Sequence, residues 1–549
     1  MFWPISSVQS SFPVILTEGE KMFNRKLKRR LEADFGKAPD PMYFHGDMEY
    51  IRAYYDYREE NELDEFLIDE ITWNDLDLDR VFKRINPGLS TSGEQYLYYE
   101  LRSPAIDRKT FLNRKKLIDL MASQSALRLN LQVILSRLGR TRRADLCRAF
   151  SPAEHGPLWL IIYMLLAILV PVSIVMAVLF GEAALLACIF MLSINALVHE
   201  RRKKKCQVDF DTVNYTVSMV FALHRIKKLK NAALDEYLKE AYENLDHLRS
   251  VIRTGGVSTV SDGGMGDLIS TVFFLDLIAY EFLKNKLGRC HSEVFAVHEA
   301  LGKIDAAIAV ASYRQSLDSY AEPKVDFSQE APYMRVSGMT HPLLKNAVPN
   351  ELDTVSPLLI TGSNASGKST YLKTAALCAV MAQAICTVTA DDYHASAFRI
   401  YSSMALSDNL LAGESYYIVE TKSLKRIIEK IDGPVPLLCT IDEVLRGTNT
   451  VERIAASSKI LEVIADRGAL CLAATHDIEL CDLLSKKYDM YHFEEQVGLS
   501  EMLFDYKIRT GKAVSRNAIN LLKLMGFDDE IVSGAHDRAN SYVQKGTWS

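Results

Sequence analysis

Apolar residues recur at helical spacing over much of the first part of the chain. Between about residues 66 and 150, segments such as "SGEQYLYYELRSP" repeat apolar and aromatic side chains with this period, and Pro104 ends that helix. Amphipathic helices return after residue 206, and a glycine-rich segment from Thr254 to Leu268 interrupts them as a predicted loop or hinge. From about residue 326, short apolar runs alternate with helical segments, which predicts an α/β domain with a largely parallel sheet.

A long uncharged block lies between the two helical regions. No residue from Pro157 to Gly181 is charged, and a helix of this length spans a bilayer core of ~30 Å. Gly181 and Glu182 would form a minimal turn before a second apolar run, Ala183 to Val198, which is shorter than the usual ~20 residues. Basic residues flank the block on both sides: Arg142, Arg143, Arg148, Arg201, Arg202, Lys203, Lys204 and Lys205. Because basic flanks stay on the cytosolic side, we predict a transmembrane hairpin with both ends in the cytosol. The alternative is a buried helical pair of a soluble domain.

The overall composition narrows the classes of function. Hydrophobic residues make up 48% of the chain and charged residues 24%, as in ordinary globular proteins. The net charge of −6 does not indicate a nucleic-acid binder that is basic over its whole surface, although it is compatible with a local basic face. Nine cysteines include no CxxC pair, which predicts free thiols in a reducing compartment rather than a zinc site. The first residues carry no basic region before their apolar positions, so no signal peptide is expected.

The segment "LLITGSNASGKST" predicts a phosphate-binding loop. An apolar strand precedes Gly362-x4-Gly367-Lys368-Ser369, and a helix follows from Thr370, which is the order of elements that this loop requires. The glycines let backbone N–H groups face the phosphates, the lysine neutralises the β- and γ-phosphates, and the serine hydroxyl ligates Mg²⁺. We therefore predict an ATP and Mg²⁺ site formed by Gly362, Ser363, Asn364, Ala365, Ser366, Gly367, Lys368, Ser369 and Thr370.

Two further apolar strands end in residues suited to ATP hydrolysis. "VPLLCTIDEVLRGTNT" ends in Asp442 and Glu443, and "GALCLAATHD" delivers His476. The carboxyl ends of parallel strands meet at one edge of a sheet. We expect Asp442 to hold Mg²⁺ together with Ser369, and Glu443 to polarise the attacking water. His476 would contact the γ-phosphate or position the water, so Lys368, Glu443 and His476 are the predicted catalytic residues of an ABC-type ATPase.

Four motifs taken together resemble one protein family. "TGSNASGKST", "DNLLAGESYYIVE", "IDEVLRGTNT" and "ATHDIEL" look like the ATPase domain of the MutS family of DNA mismatch repair proteins. "INPGLSTSGEQYLYYELRSP" is similar to the start of that family's helical core and lever. The resemblance implies a homodimer in which Ser415 reaches the partner's γ-phosphate. It also implies that Thr448 and Asn449 lie at the dimer seam, and that Asn364 is the family's phosphate-loop asparagine.

The sequence also departs from that family. Leu445 stands where the family usually has glycine, and "NAVPNEL" lacks the phenylalanine usual there, so the resemblance identifies no adenine-stacking residue. Nothing before residue 65 resembles the mismatch-reading domain with its phenylalanine wedge, which disfavours direct mismatch recognition. The predicted hairpin falls where the family places its levers and DNA clamp.

These observations predict a mixed fold. It comprises an all-α core and lever region with a transmembrane helical hairpin, followed by an α/β P-loop domain of ABC type. The predicted divisions are an N-terminal segment, a first helical part, the hairpin, a second helical part and the ATPase domain, at residues 1–65, 66–156, 157–198, 199–325 and 326–549.

The leading hypothesis is a membrane-tethered MutS-like ATPase that acts as a homodimer. ATP binding would close two motors, hydrolysis would reopen them, and helical levers would transmit the change to DNA, the ligand that the family implies. The bilayer is the other expected partner, no small-molecule substrate beyond ATP is expected, and both termini and the motor would be cytoplasmic. The alternatives are a nucleotide-switched membrane scaffold and an ATPase that acts on RNA or a ribosome-like particle. An ABC transporter ATPase is a weaker alternative, because two short spans per chain make a poor translocation path.

Overall fold

The computed structural model describes most of the chain, namely residues 18–39, 43–44, 46–142, 144, 146, 158–248, 265–328, 330–363, 366–404, 416–446, 448–497, 502–512, 519, 522 and 526–545. The chain divides into two compact units, each drawn from three segments. The helical unit takes its described residues from 1–63, 85–99 and 117–313, and the sheet unit from 64–84, 100–116 and 314–549. The predicted linear domain boundaries stay a prediction.

The helical unit contains only α-helices among its described elements. Its aromatic core explains the helical spacing of the sequence, because Tyr54 packs edge-on against Tyr99 at 5.2 Å and lies 5.8 Å from Phe295. The helices with most or all of their residues in this unit are Glu18–Asp34, Asp47–Glu60, Thr91–Arg102, Ser125–Leu138, Leu158–Phe180, Glu182–Lys205, Gln207–Lys227, Ala232–Tyr237, Lys239–His247, Met265–Phe273, Leu275–Arg289 and His291–Gln315.

The uncharged block and the apolar run after it lie in two helices, Leu158–Phe180 and Glu182–Lys205, joined at Gly181, whose φ of 74° lies in the left-handed region that favours glycine. Within the part of the chain that the structure describes, the helix Leu158–Phe180 alone has the length and composition to cross a membrane. Core helices of soluble proteins pass the same test, but only 11% of the most apolar stretch of this helix is buried. The predicted pair of membrane spans is therefore not established by the fold.

The predicted glycine-rich loop is wrong at its C-terminal end. A helix begins at Met265 and runs to Phe273, while residues 254–264 lie outside the described part of the chain. This helix packs against both Leu158–Phe180 and Glu182–Lys205. A glycine inside a helix costs only about 1 kcal/mol relative to alanine, so packing against these two helices outweighs the glycine content that suggested a loop.

The sheet unit contains two β-sheets. Its strands are β1 (Lys324–Asp326), β2 (Met334–Met339), β3 (Asn350–Thr354), β4 (Leu358–Thr361), β5 (Asp392–Ser396), β6 (Arg399–Ser403), β7 (Leu437–Asp442), β8 (Leu470–Thr475), β9 (Asp489–Val497) and β10 (Met502–Thr510). One sheet has the order β1-β5-β2-β3, and the other has the order β10-β9-β4-β8-β7-β6. In the larger sheet all neighbouring strands are parallel except β9 and β10.

Helices cover the central strands of the larger sheet. Every residue of β4, β7 and β8 is buried, which explains why their sequences are mostly apolar. The helices with most or all of their residues in the sheet unit are Glu70–Asp75, Leu78–Ile85, Arg108–Ser123, Lys368–Ile385, Tyr416–Glu429, Thr450–Asp466, Glu479–Leu484 and Asp529–Lys545.

The register of the parallel strands brings their C-terminal ends to one edge. Thr361 of β4 pairs with Thr475 of β8, and Asp442 of β7 pairs with Ala474 of β8. The residues that follow these three strands therefore leave the sheet side by side, as ligand-binding residues do in parallel α/β sheets.

Candidate nucleotide site

The loop after β4 has the backbone of a phosphate cradle. Gly362 has φ of 143° and Gly367 has φ of 105°, both in the region that favours glycine. A Cβ atom on Gly362 would lie 3.0 Å from Ser366 Oγ and 3.1 Å from the carbonyl oxygen of Phe493, so a side chain there would crowd the loop. The helix Lys368–Ile385 starts directly after Gly367, and its first N–H groups form a ready site for an anion.

Lys368 is buried beneath this loop and bound to it. Its Nζ donates hydrogen bonds to the carbonyl oxygens of Gly362 at 2.6 Å and Ser363 at 2.7 Å. The same nitrogen lies 3.4 Å from His476 Nε2. The ammonium group is thus placed inside the curl of the loop, where it would neutralise bound phosphate.

Ser369 and Asp442 form the predicted pair of metal ligands. Ser369 Oγ donates a hydrogen bond to Asp442 Oδ2 at 2.5 Å, which joins the start of the helix to the end of β7. A hydroxyl and a carboxylate are oxygen ligands of the kind that Mg²⁺ prefers. No three His, Cys, Asp or Glu side chains form a metal cluster anywhere in the described residues, so an ion here would take further oxygens from phosphate and water.

Glu443 lies between two nitrogen-bearing side chains. Its Oε1 is 2.6 Å from His476 Nε2, and its Oε2 is 2.6 Å from Arg446 Nε. Burial raises the pKa of Glu443, but the hydrogen bond from His476 and the charges of Arg446 and Lys368 lower it more, so the net pKa lies below the ordinary value. The carboxylate is held in its ionised form, which is the form that a general base needs.

The turn that carries Glu443 has an unusual backbone. Glu443 and Leu445 both have φ of 60°, a conformation that residues with a side chain rarely adopt. Hydrogen bonds fix this turn: the N–H of Glu443 donates to the carbonyl of Ala474, and the carbonyl of Val444 accepts from Ser457 Oγ. Leu445 occupies the position where the resembling family usually has glycine, and its positive φ is the physical reason that glycine suits this place.

A cavity of about 290 Å³ adjoins the phosphate loop. It is apolar and aromatic in character, and its size approaches that of small-molecule sites. Its lining residues are Met339, His341, Leu344, Asn346, Ala347, Val348, Asn350, Gly367, Thr370, Tyr371, Thr374, Phe493 and Tyr506. Because Gly367 and Thr370 belong to both the loop and the cavity, a molecule with a phosphate tail and a flat ring could occupy the two together.

Tyr506 is presented to this cavity by a distortion of β10. The register of β10 against β9 shifts between Phe504 and Ile508, and Tyr506 within that bulge has φ of 53°. Asn350 holds the bulge from both sides, donating from Nδ2 to the carbonyl of Tyr506 at 2.8 Å and accepting at Oδ1 from the N–H of Ile508 at 3.0 Å. A strained, clamped aromatic residue beside a phosphate loop is a candidate for stacking on a base.

His341 supplies a neutral polar group in the same cavity. Burial, together with the positive charge of Lys373, lowers the pKa of His341 to about 4. At neutral pH the imidazole is therefore uncharged, and it can contact an uncharged heterocycle without an electrostatic penalty.

Several predicted residues have other contacts or lie outside the described chain. Asn449 caps the helix Thr450–Asp466, accepting at Oδ1 from the N–H of Val451, and Ser366 Oγ donates to the carbonyl of Ser363. Their predicted roles in a dimer and in phosphate binding stay predictions. Three predicted residues lie outside the described chain: Asn364, Ala365 and Ser415.

Residues 358–542 match the family model described as MutS domain V. The matching span starts at β4 and includes the phosphate loop, Asp442, Glu443 and His476. The chain belongs to the MutS family.

The curated relatives of this MutS-family chain match only part of it. The DNA mismatch repair protein MutS of Natronomonas pharaonis is 29% identical over 48% of this chain and 31% of its own length. MutS of Thermus aquaticus is 30% identical over 37% of this chain and 25% of its own length. MutS of Caldicellulosiruptor bescii is 28% identical over 47% of this chain and 32% of its own length. The MutS-family chain thus spans a quarter to a third of the length of these relatives.

Sequence reasoning missed residues that complete the site of this MutS-family protein. The sequence motifs single out neither Arg446, which pairs with Glu443, nor Tyr506, which lines the cavity. The sequence holds one signal for Tyr506, because Phe504 and Tyr506 occupy alternate positions of a β-like run. Nothing in the sequence connects that run to Asn350, so the clamp itself could not be predicted.

Proposed function

We propose that this MutS-family chain binds ATP with Mg²⁺ and hydrolyses the nucleotide. The observation that carries the proposal is the convergence of Lys368, the Ser369–Asp442 pair and the Glu443–His476 pair at one edge of a parallel sheet. Lys368 would bind the β- and γ-phosphates, and Ser369 and Asp442 would hold the metal. Glu443 would take the proton of the attacking water, and His476 would orient that water or the γ-phosphate.

The cavity beside Gly367 would receive the nucleoside. Tyr506 would stack on the base and His341 would contact its edge, which supplies the aromatic residue that the sequence "NAVPNEL" lacks. When bound, Mg²⁺ would neutralise charge that develops on the phosphates. The fit rests on the crowded glycine cradle, on the oxygen ligands of the metal pair and on the size of the cavity.

Phosphate release by the full chain purified in detergent tests the activity. We expect wild type to hydrolyse ATP, Lys368→Ala to lose ATP binding, and Glu443→Gln to bind ATP but to hydrolyse it only at a residual rate far below that of wild type. Equal rates for wild type and Glu443→Gln would remove Glu443 as the base. ATP binding by wild type without hydrolysis would support a nucleotide-switched scaffold instead.

We further propose that the helices of residues 157–198 tether the protein to a bilayer. The helix Leu158–Phe180 carries exposed apolar side chains along its length, for example Ile161, Ile168 and Val178. At one end of the pair the guanidinium of Arg202 lies 3.8 Å from the Trp159 ring centroid and donates to Tyr163 OH. A half-exposed tryptophan paired with an arginine suits the membrane–water interface on the cytosolic side, whereas Tyr163 itself is buried.

Fractionation tests the tether. The full chain should sediment with membranes, and a variant in which a soluble linker replaces residues 157–198 should move to the supernatant. The matched control replaces an equal length within 206–248, which should leave the protein in the pellet if it folds. A hairpin-replaced variant that stays in the pellet would contradict the tether.

We propose that the ATPase acts on DNA and that its functional form is a homodimer. Support comes from the family and from relatives whose names describe DNA mismatch repair. Binding of the full chain to homoduplex, mismatched, branched and single-stranded DNA, with and without ATP, would test this. Affinity that falls steeply with salt would report phosphate contacts. Absence of binding to every DNA, with binding to RNA, would favour an RNA-directed ATPase.

A further inference from the structure

The turn after β7 is fixed by contacts from several neighbouring elements. One of these contacts comes from a buried carboxylate: Glu420 Oε1 accepts a hydrogen bond from the N–H of Leu445 at 2.7 Å. Glu420 is 3% exposed and lies on the helix Tyr416–Glu429. A buried backbone N–H that loses its partner is left desolvated and unsatisfied, which costs free energy, so this hydrogen bond helps to define the path of the turn.

Only one oxygen of the Glu420 carboxyl group has a hydrogen-bond partner in the part of the chain that the structure describes. Oε1 accepts from the N–H of Leu445, and the buried Oε2 accepts no hydrogen bond from a described residue. Burial, together with the negative charge of Glu443, raises the pKa of Glu420 more than the backbone of the turn and the charge of Arg446 lower it, so the net pKa lies above the ordinary value. The N–H of Leu445 is thus the point at which Glu420 holds the turn. Two residues in this turn, Glu443 and Leu445, have φ of 60°. Such a conformation persists where the surroundings determine it.

The geometry points to Glu420 as a positioning residue of the ATPase reaction, which holds the turn so that the Glu443 carboxylate faces Lys368 and His476. This inference rests on the proposed ATPase function. Glu420 does not touch the reacting atoms in this arrangement. It acts through the backbone N–H of Leu445, and so through the orientation of the turn that carries the Glu443 side chain.

Steady-state hydrolysis by the full-length protein tests this role with three variants of Glu420. Glu420→Ala removes the acceptor, and we expect kcat to fall at least about tenfold while KM for ATP stays within about twofold, because displacing a catalytic group by an ångström can cost ~10²-fold. Glu420→Gln keeps an amide oxygen for the N–H of Leu445, and its kcat should return to within about threefold of wild type. Glu429→Gln is the matched control on the same helix, since Glu429 is exposed, and it should leave both constants unchanged.

A double variant separates positioning from general stability. If Glu420 acts only through Glu443, then Glu420→Ala should change the single-turnover rate less than about twofold in the Glu443→Gln background. A merely structural role would lower the rate by the same factor in both backgrounds. Should Glu420→Ala fail to fold, Glu420→Asp replaces it, because aspartate keeps the charge but withdraws the oxygen by one methylene. We then expect a lower kcat for Glu420→Asp than for Glu420→Gln.

These measurements distinguish failure of the positioning role of Glu420 from failure of the ATPase function. Wild type that hydrolyses ATP and loses activity in Glu443→Gln, with wild-type kcat in Glu420→Ala, would overturn the positioning role alone. Equal losses of ATP affinity and kcat in Glu420→Ala would also overturn it. Wild type without any hydrolysis would overturn both the ATPase function and the role of Glu420.

Discussion

Arg446 and Glu443 form an ion pair on the turn that follows β7, with 2.6 Å between Nε and Oε2. Because His476 Nε2 lies 2.6 Å from the other oxygen of Glu443, both oxygens of the proposed base are engaged. Arg446 also donates from Nη2 to the carbonyl oxygen of Asp442. A single arginine thereby connects the proposed base to the strand end that carries the proposed metal ligand.

The first prediction concerns the pH dependence of hydrolysis. The base acts when it is deprotonated, so kcat/KM should fall on the acid side as pH drops through the pKa of Glu443. That pKa is depressed, because the hydrogen bond from His476 and the charges of Arg446 and Lys368 outweigh burial. Arg446→Gln removes one of these charges, so the pKa should rise and the acid limb of the profile should move to higher pH.

Lys459→Gln provides the control for this experiment. Lys459 is exposed on the helix Thr450–Asp466 and pairs with Glu462, so its loss should leave the acid limb in place. An acid limb in Arg446→Gln that coincides with wild type would show that the arginine does not set the protonation of the base.

The second prediction concerns the cavity beside the phosphate loop. Tyr506→Ala should raise KM for ATP by roughly tenfold or more with kcat within about twofold, because stacking of a base on an aromatic ring contributes ~1–3 kcal/mol. Tyr506→Phe keeps the ring and should resemble wild type. Equilibrium binding of a fluorescent ATP analogue gives the same comparison without turnover. An unchanged KM in Tyr506→Ala would place the base elsewhere.

The third prediction concerns the metal pair. Ser369→Ala removes the hydroxyl that lies 2.5 Å from Asp442 Oδ2. We expect the Mg²⁺ concentration for half-maximal hydrolysis to rise by at least about tenfold, since even outer-shell partners of a metal contribute ~10–100-fold. ATP binding measured without Mg²⁺ should change little. Ser485→Ala is the control, because that hydroxyl is exposed and bonds only the nearby carbonyl of Asp482 among the described contacts.

The parts of the site that were predictable are those that local sequence encodes. A buried parallel strand appears in the sequence as an apolar run. The C-terminal ends of β4, β7 and β8, and the residues after them, can therefore be placed at one edge of the sheet from the sequence alone. Asp442 is indeed the last residue of β7, and Glu443 and His476 come together. This success depends on the short loops that follow these strands.

The parts that were missed depend on contacts between distant segments. Tyr506 reaches the cavity through a bulge that Asn350 clamps from far away in the chain, and Glu420 holds Leu445 from another helix. Spacing along one segment carries no information on such pairs. The helix that begins at Met265 was missed for a different reason, because local glycine content was given more weight than packing against neighbouring helices.

The last prediction concerns the left-handed conformation of Leu445. The left-handed conformation destabilises the folded state by ~1–2 kcal/mol when the residue has a Cβ atom. Replacing alanine by glycine raises the conformational entropy of the unfolded chain, which lowers the free energy of unfolding by only ~0.4–1 kcal/mol. Leu445→Gly should therefore unfold at a higher denaturant concentration than Leu445→Ala. Both should be less stable than wild type, because losing a buried leucine side chain costs ~2–5 kcal/mol.

Leu461 supplies the matched control for this pair. It is also buried, at 0% exposure against 2% for Leu445, but it lies inside the helix Thr450–Asp466. In a helix interior glycine is about 1 kcal/mol less favourable than alanine, so Leu461→Gly should be the less stable member there. The order of stability should thus reverse between positions 445 and 461. If alanine is the more stable substitution at both, then the turn after Glu443 relaxes out of the left-handed region in solution, and the strain that Glu420 is proposed to hold does not exist.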